Sequence, residues 1–402
     1  MKHVLALSTI YPNAANPRFG TFVARSLESL AKRGDWRVSV INPIGIPPLG
    51  LGALSPRFAD LAALSEREEL GGVTIHRPQF TLIPKIGARR NVAAVVKAAM
   101  PIARAIHETA PVDVVDAQYF FPDGPAAAAL AEALGAPLSI KARGSDINYW
   151  GGVTFAHEAM LDAANKAAGL LSVSKALARE MVALGMQRDA ITVHYTGLDR
   201  DLFRPFDHTQ LRAQLGEALG LSLPDGAPLF ACVGALNGRK GQDIAIRALA
   251  RLSADYPKAL LLLVGRGEEE AALRALAKER GVGARVHFTG SVDHTKLPLI
   301  LSAADAMVLP TQSEGLANAW VEAIACGTPV VTSDVGGARE LVQSEVAGRL
   351  TPRDPEAVAE ALRAILRDPP APDAVATLAQ DFDWTTHAAA LAAHYERISE
   401  GS

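Results

Sequence analysis

The most constraining feature of this chain is an alternation that runs, stops and starts again. Short apolar, β-branched runs occur at 4–7, 37–42, 73–77, 112–117, 137–142, 169–173 and 191–195. Longer Ala- and Leu-rich stretches with helical spacing lie between several of them, at 21–32, 125–134 and 175–185. Strands and helices in alternation predict parallel sheets with crossover helices, and continuous apolar strands predict sheets covered on both faces. The stretch 198–225 carries Pro205 and Pro224 and no strand run. The alternation then resumes at 228–233, 259–264, 285–289, 306–309 and 329–332. With 402 residues, two cores of about 200 residues each are expected. The fold class is therefore α/β, with two doubly wound, Rossmann-like domains facing across a cleft at the carboxyl ends of their strands. The expected divisions are an N-terminal domain over 1–200, a C-terminal domain over 201–380 and a terminal helix over 381–402. In that helix Trp384, Ala388, Leu391, Tyr395 and Ile398 form one apolar stripe. It packs on the nearer domain or crosses back to the N-terminal one.

Composition narrows the class of function. A net charge of −3 gives no bulk attraction to nucleic acid. Cys232 and Cys326 sit in apolar or small-residue runs, so buried free thiols and a reducing, cytoplasmic setting are expected. No uninterrupted apolar stretch reaches the roughly 18 residues of a membrane span, and the apolar run near Met1 is read as the first strand. Ten histidines are scattered without ligand spacing, so no metal site is expected.

The strongest chemical signal runs from Glu314 through Gly315, Leu316, Ala317 and Asn318 to Glu322. It follows a strand run and Pro310. Gly315 allows a close backbone approach, and a helix starting near Leu316 offers unpaired N–H groups to phosphate oxygens. Glu322, about two turns along, can accept two hydroxyl hydrogen bonds from a ribose. Two solvated glutamates on a surface helix are the plain alternative, and the company of Gly315, Asn318 and the following strand argues against it.

This stretch resembles the EX7E motif of family 4 retaining glycosyltransferases, which have the GT-B fold. Gly234 with Asn237, Arg239, Lys240 and Gly241 resembles the first strand and loop of that family's donor domain. Thr196–Asp199 with Leu202–Pro205 resembles its interdomain segment, and Val335–Gly337 with Glu340–Val342 its element after the donor strands. The resemblance implies that Glu322 binds ribose, and that Glu314 and the backbone of 315–318 hold the sugar and diphosphate. It also implies that Lys240 stabilises the leaving phosphate, a charge that a cation at a strand end can offset. Many members carry Arg where this chain has Ala235, and Arg239 can supply that charge. Base recognition is expected from backbone at Gly290–Val292, where side chains leave little trace.

In the first half, 139–146 ends in Arg143-Gly144-Ser145-Asp146. This resembles a subset of the family acting in bacterial surface-polysaccharide synthesis, as does the opening segment with Arg18, Phe19, Gly20 and Phe22. Arg18, Arg143 and Asp146 are the expected acceptor-side residues, with a structural ion pair between Arg143 and Asp146 as the alternative. Gly20 at a helix start would let backbone approach the donor phosphate.

Three weaker patterns are set aside. Gly265-Arg266-Gly267 lacks the third glycine of a dinucleotide fingerprint and precedes three glutamates. Ser172–Lys175 matches SxxK spacing without companion motifs, so helix capping explains its serines. Asp199-Arg200-Asp201 is read as a turn. The expected activity is transfer, with retention, from a UDP- or GDP-linked sugar to a saccharide or lipid-linked acceptor, without a cofactor or metal. A nucleotide-sugar epimerase of the same fold and a non-catalytic sugar- or nucleotide-binding partner are the alternatives.

Between Leu70 and His107 there is no acidic residue, while Arg77, Lys85, Arg89, Arg90, Lys97 and Arg104 are present. Arg90, Lys97 and Arg104 share one helix face, with Val92, Val95, Val96 and Ala99 on another, and Pro101 is expected to kink the helix. Two readings stand equally: a helix lying on an anionic membrane surface, or an ordinary helix with its apolar face in the core.

Overall fold

The computed structural model describes residues 1–48, 56–82, 87–206, 211–224 and 226–401. Two compact units result, Met1–Gly197 with Trp384–Ser402, and Leu198–Asp383.

The first unit is built on an eight-stranded sheet. Its strands are β1 (Lys2–Leu7), β2 (Trp36–Ile41), β4 (Arg67–Leu70), β5 (Val73–His76), β7 (Val114–Ala117), β8 (Leu138–Ala142), β9 (Gly169–Ser172) and β10 (Ile191–Val193). A separate pair joins β3 (Ile44–Ile46) to β6 (Gln79–Thr81). The sheet order is β10-β9-β8-β7-β1-β2-β5-β4, parallel except for β4. The order reverses at β1, between β7 and β2, so the crevice for a ligand lies beyond the carboxyl ends of β1 and β7. Both faces are covered, as the continuous apolar strands require. Leu5 and Leu7 of β1 point into a core under the helices Ala88–Thr109, Asp123–Leu134 and Thr154–Lys166. Val4 and Ala6 point the other way, into a core under Thr21–Lys32 and Trp384–Glu400.

The second unit holds six parallel strands in the order β13-β12-β11-β14-β15-β16. They are β11 (Leu229–Val233), β12 (Leu260–Val264), β13 (Val286–Gly290), β14 (Ala306–Leu309), β15 (Val330–Ser333) and β16 (Gly348–Thr351). This is a doubly wound sheet with its switch point between β11 and β14. The loops after those two strands carry 234–241 and 310–317.

The sequence set one division at 200/201 and made 381–402 a third piece. The structure divides the chain after Gly197, leaves 381–383 with the second unit and merges the last helix with the first. The stripe on Trp384–Glu400 explains the merger. Leu391, Tyr395 and Ile398 are buried in the first unit's core, and Tyr395 meets Trp36 edge-on at 5.4 Å. His387 of that helix accepts from, or donates to, Ser26 at 2.6 Å and donates from Nδ1 to the Tyr195 carbonyl at 2.8 Å.

Beneath this helix the sheet face is polar. Lys141 Nζ lies 2.8 Å from His194 Nδ1, and the His194 and His387 rings stack at 4.1 Å. His394 sits between Ser139 Oγ at 3.2 Å and the guanidinium of Arg397 at 2.8 Å. Burial first, then Arg397 and Lys141, pull His394 down to about 3. The unfolded chain takes up this proton below about 6.5, whereas the folded chain refuses it until about 3. The folded pKa is depressed, so stability from this position is full above 6.5 and drains as pH falls. His394→Gln is expected to flatten the acid limb of the stability curve. The expected gain over wild type is up to about 2.7 kcal/mol between pH 6.5 and 4.5, read by urea unfolding. Parallel wild-type and variant curves would contradict a neutral buried His394.

Candidate donor site

The loop after β11 begins with two backbone bonds, one to the end of β12 and one to the loop that follows it. Gly234 N–H donates to the Val264 carbonyl at 3.0 Å and Leu236 N–H to the Arg266 carbonyl at 3.0 Å. The set-aside Gly265–Gly267 turn thus seats the phosphate-side loop. Gly241 then opens the helix Gln242–Arg251 at φ +76°, and a Cβ there would lie 2.2 Å from the Pro310 carbonyl oxygen. No side chain fits. That contact locks the 234–241 loop onto the start of the 310–317 loop, which brings Lys240 to Glu314.

Glu314 Oε1 accepts from Lys240 Nζ at 2.5 Å, Arg239 Nη1 at 3.1 Å and Thr311 Oγ1 at 3.2 Å. Arg239 also donates to the Ser313 carbonyl. Two cations on one carboxylate leave one positive charge uncompensated at the switch point, where a diphosphate can be neutralised. The three expected catalytic residues are therefore brought together.

The helix carrying the second glutamate spans Asn318–Ala325, with Ala317 as its extended N-cap. The expected start near Leu316 moves two residues on, because 314–317 is held as a loop instead. Gly337 N–H donates to the Gly315 carbonyl at 2.7 Å, and Leu316 and Ala317 are buried. Asn318 is half-buried as the first helical residue. Glu322 is 8% exposed, and its Oε1 lies 3.0 Å from His294 Nε2. Sequence reasoning missed His294, having treated the histidines only as metal ligands. The signal was its place just after β13, at the carboxyl end of a donor-unit strand.

Gly290 ends β13, and its carbonyl accepts from Gly265 N–H at 2.9 Å. Val292 is half-buried two residues on. Thus Gly234, Gly290, Val292, Gly315, Leu316, Ala317, Asn318 and Glu322 all lie at or beyond the carboxyl ends of β11, β13 and β14. Asp199 accepts from Leu202 N–H at 3.1 Å, the turn that the sequence implied. Ser174 likewise caps the helix Lys175–Ala183, accepting from Leu177 N–H.

The first unit's expected residues have different surroundings. Asp146 is fully buried, and its carboxylate accepts N–H bonds from Phe120, Arg143, Gly144 and Ile147 at 2.8–3.1 Å. It shapes the 143–147 turn. Burial raises its carboxyl above the usual range, and those four N–H groups oppose the rise. The Arg143 side chain makes no ion pair with Asp146. It donates through Nε to the Gln118 carbonyl at 3.1 Å and through Nη2 to the Gln118 amide oxygen, and it lies 5.0 Å over the Phe22 ring. Burial lowers it to about 10, which leaves it charged at neutral pH. Arg143 and Phe22 thus meet beyond the carboxyl ends of β1 and β7, while Arg18 is exposed. Gly20 has a steric reason of its own. At φ +71° a Cβ would lie 1.8 Å from the Ile10 carbonyl oxygen, so glycine is required there without any phosphate.

The basic segment is divided too. Arg77 is buried and paired with Glu68 at 2.6 Å, and Lys85 lies outside the described residues. Arg89 lies 5.1 Å over the Phe155 ring. The helix Ala88–Thr109 runs on through Pro101. Val95, Ala99 and Ala103 are buried and Val92 and Val96 pack on the same core, so its apolar face is occupied. Arg90, Lys97 and Arg104 remain exposed. Among the described residues no helix is long and apolar enough to cross a membrane, and no cluster of His, Cys, Asp and Glu has the makings of a metal site.

These two doubly wound units and the Glu–Lys–Arg site define a class. Residues 19–202 match the model for Glycosyltransferase Family 4, and residues 220–381 match that for Glycosyl transferases group 1. The chain belongs to the family 4 glycosyltransferases, with the GT-B fold. It is 39% identical to a glycogen synthase of Mycobacterium tuberculosis over 175 residues, 42% of each chain. It is 27% identical to the putative teichuronic acid biosynthesis glycosyltransferase TuaC of Bacillus subtilis over 411 residues, 99% of each. Among solved structures it resembles Anabaena HepE in complex with UDP, with a TM-score of 0.73, 22% identity and coverage of 99% and 100%. The chain spans about half the length of several of the curated relatives that it matches.

Proposed function

We propose that the chain transfers a sugar, with retention, from a UDP- or GDP-linked donor to a hydroxyl acceptor in surface-polysaccharide or glycolipid synthesis. One observation carries the reading: Lys240, Arg239 and Thr311 converge on Glu314 at a switch point whose next helix holds the buried Glu322. The UDP named with HepE and the teichuronic acid role named for TuaC support the donor type and the polymer class. In the reaction the bond from C1 to the β-phosphate oxygen breaks, the acceptor oxygen bonds to C1, and the acceptor proton leaves with the diphosphate or to water. Lys240 and Arg239 offset the charge that grows on the leaving phosphate, a task that needs no metal ion or cofactor. Glu314 orients both cations and reaches the sugar, and Glu322 takes the ribose. Gly290 and Val292 offer backbone to the base. On the first unit, Arg18 and Arg143 meet the acceptor, with Asp146 holding the turn beneath Arg143.

Release of nucleoside diphosphate, measured with and without acceptor, tests this. Acceptor-stimulated release is the expected result. Release with recovery of an epimerised free sugar would replace transfer by epimerisation, and binding without release would make the chain a silent partner.

The enzyme is further proposed to work in the cytoplasm on the inner membrane face, held by charge alone because the apolar face of the helix Ala88–Thr109 is taken up by the core. Arg90, Lys97 and Arg104 contribute about 1 kcal/mol each near an anionic surface. Sedimentation with anionic vesicles at low salt is expected, with loss on replacing all three by Gln and on raising salt. Wild-type protein that ignores such vesicles would point to a soluble acceptor.

A further inference from the structure

We propose that His294 is a positioning residue, which fixes the carboxylate of Glu322 for the ribose diol of a nucleoside diphosphate. This rests on the reading of the donor site above.

The Glu322 backbone is fixed within the helix Asn318–Ala325. The terminal torsion of a glutamate is nonetheless broad, so helix placement alone does not orient the carboxylate plane. A ribose diol presents two O–H donors on adjacent carbons, and both reach one carboxylate only when that plane is set. His294 Nε2 holds Oε1 at 3.0 Å and so sets it, leaving Oε2 directed rather than rotating.

The imidazole is itself held on two sides. Its ring meets the edge of the buried Phe203 ring at 4.9 Å. Its backbone opens the one-turn helix His294–Lys296, where Asp293 accepts from both the N–H of Thr295 at 2.9 Å and its hydroxyl at 2.6 Å. Phe203 comes from the segment 198–205, so that segment buttresses the ribose end of the site. An orienting group supported in this way lowers the ordering cost at the moment of binding. His294 need not touch the nucleotide, so its effect should appear as ribose discrimination, not as a uniform loss of affinity.

The test compares UDP, GDP and ADP with their 2′-deoxy forms by calorimetry, using full-length wild type, His294→Leu and His294→Gln. Wild type is expected to bind at least one ribonucleotide and to disfavour its 2′-deoxy form. His294→Leu should weaken the ribonucleotide by about tenfold and bind the deoxy form almost as before, so that discrimination collapses. His294→Gln, whose amide nitrogen can reach Oε1, should restore most of it. Equal loss for both forms in His294→Leu, or unchanged discrimination, would overturn the positioning role. His294→Ala repeats the test if the leucine variant melts early. Failure of wild type to bind any of the three ribonucleotides would instead overturn the donor-site reading, so the two failures are distinct.

Discussion

Replacing Lys240 by alanine is expected to lower turnover by about 10²–10³-fold, with a much smaller change in KM for the donor. The leaving diphosphate carries more charge in the transition state than in the bound donor, so a cation at that oxygen acts mainly on kcat. The structure adds a complication. Lys240 and Arg239 share one oxygen of Glu314, and the Arg239 side chain is the more exposed of the two, 41% against 14%. Removing Lys240 leaves Arg239 on the same carboxylate, where it can move to the phosphate and mask part of the loss. The double variant is therefore the sharper probe. Steady-state kinetics showing wild-type turnover in the double variant would remove both residues from the leaving-group role.

The second large effect is on binding. Glu322→Ala is expected to weaken nucleoside diphosphate binding by about 1.5–3 kcal/mol, roughly 10–150-fold, through loss of a charged hydrogen-bond partner. Folding should survive, because alanine is a strong helix former within Asn318–Ala325 and the carboxylate bonds to His294, a part-exposed side chain that water can reach. Calorimetry beside thermal melting separates the two quantities. Unchanged affinity in a folded variant would take the ribose away from Glu322.

Much of this site was legible because its chemistry is written locally. Glu314 and Glu322 are eight positions apart on one loop and helix, and Lys240 stands between a strand run and a helical run, so spacing alone placed both near strand ends. That Lys240 and Arg239 meet on one oxygen of Glu314 was not legible, since it depends on Gly241 closing against the Pro310 carbonyl, a contact between segments some 70 residues apart. Roles that depend on which backbone groups a side chain meets were not legible. The sequence pattern does not show the four N–H groups that surround the Asp146 carboxylate, or the Ile10 carbonyl that makes glycine necessary at position 20. The strands β4 and β16 escaped detection because Arg67–Leu70 is a charged, exposed edge and Gly348–Thr351 is four residues with a glycine. The polar layer of Lys141, His194, His387 and His394 escaped for a different reason. Its partners come from opposite ends of the chain, and only the return of the last helix to the first unit brings them together.

The most direct test of the central claim is a proton NMR time course of full-length protein with a panel of UDP- and GDP-hexoses, in water and with saccharide acceptors. The anomeric signal of one donor is expected to decay as free nucleoside diphosphate appears, and the first-formed sugar product should carry the same anomeric configuration as the donor. An inverted product would contradict retention. Persistence of every donor signal, with no nucleoside diphosphate formed under any of these conditions, would contradict glycosyl transfer itself.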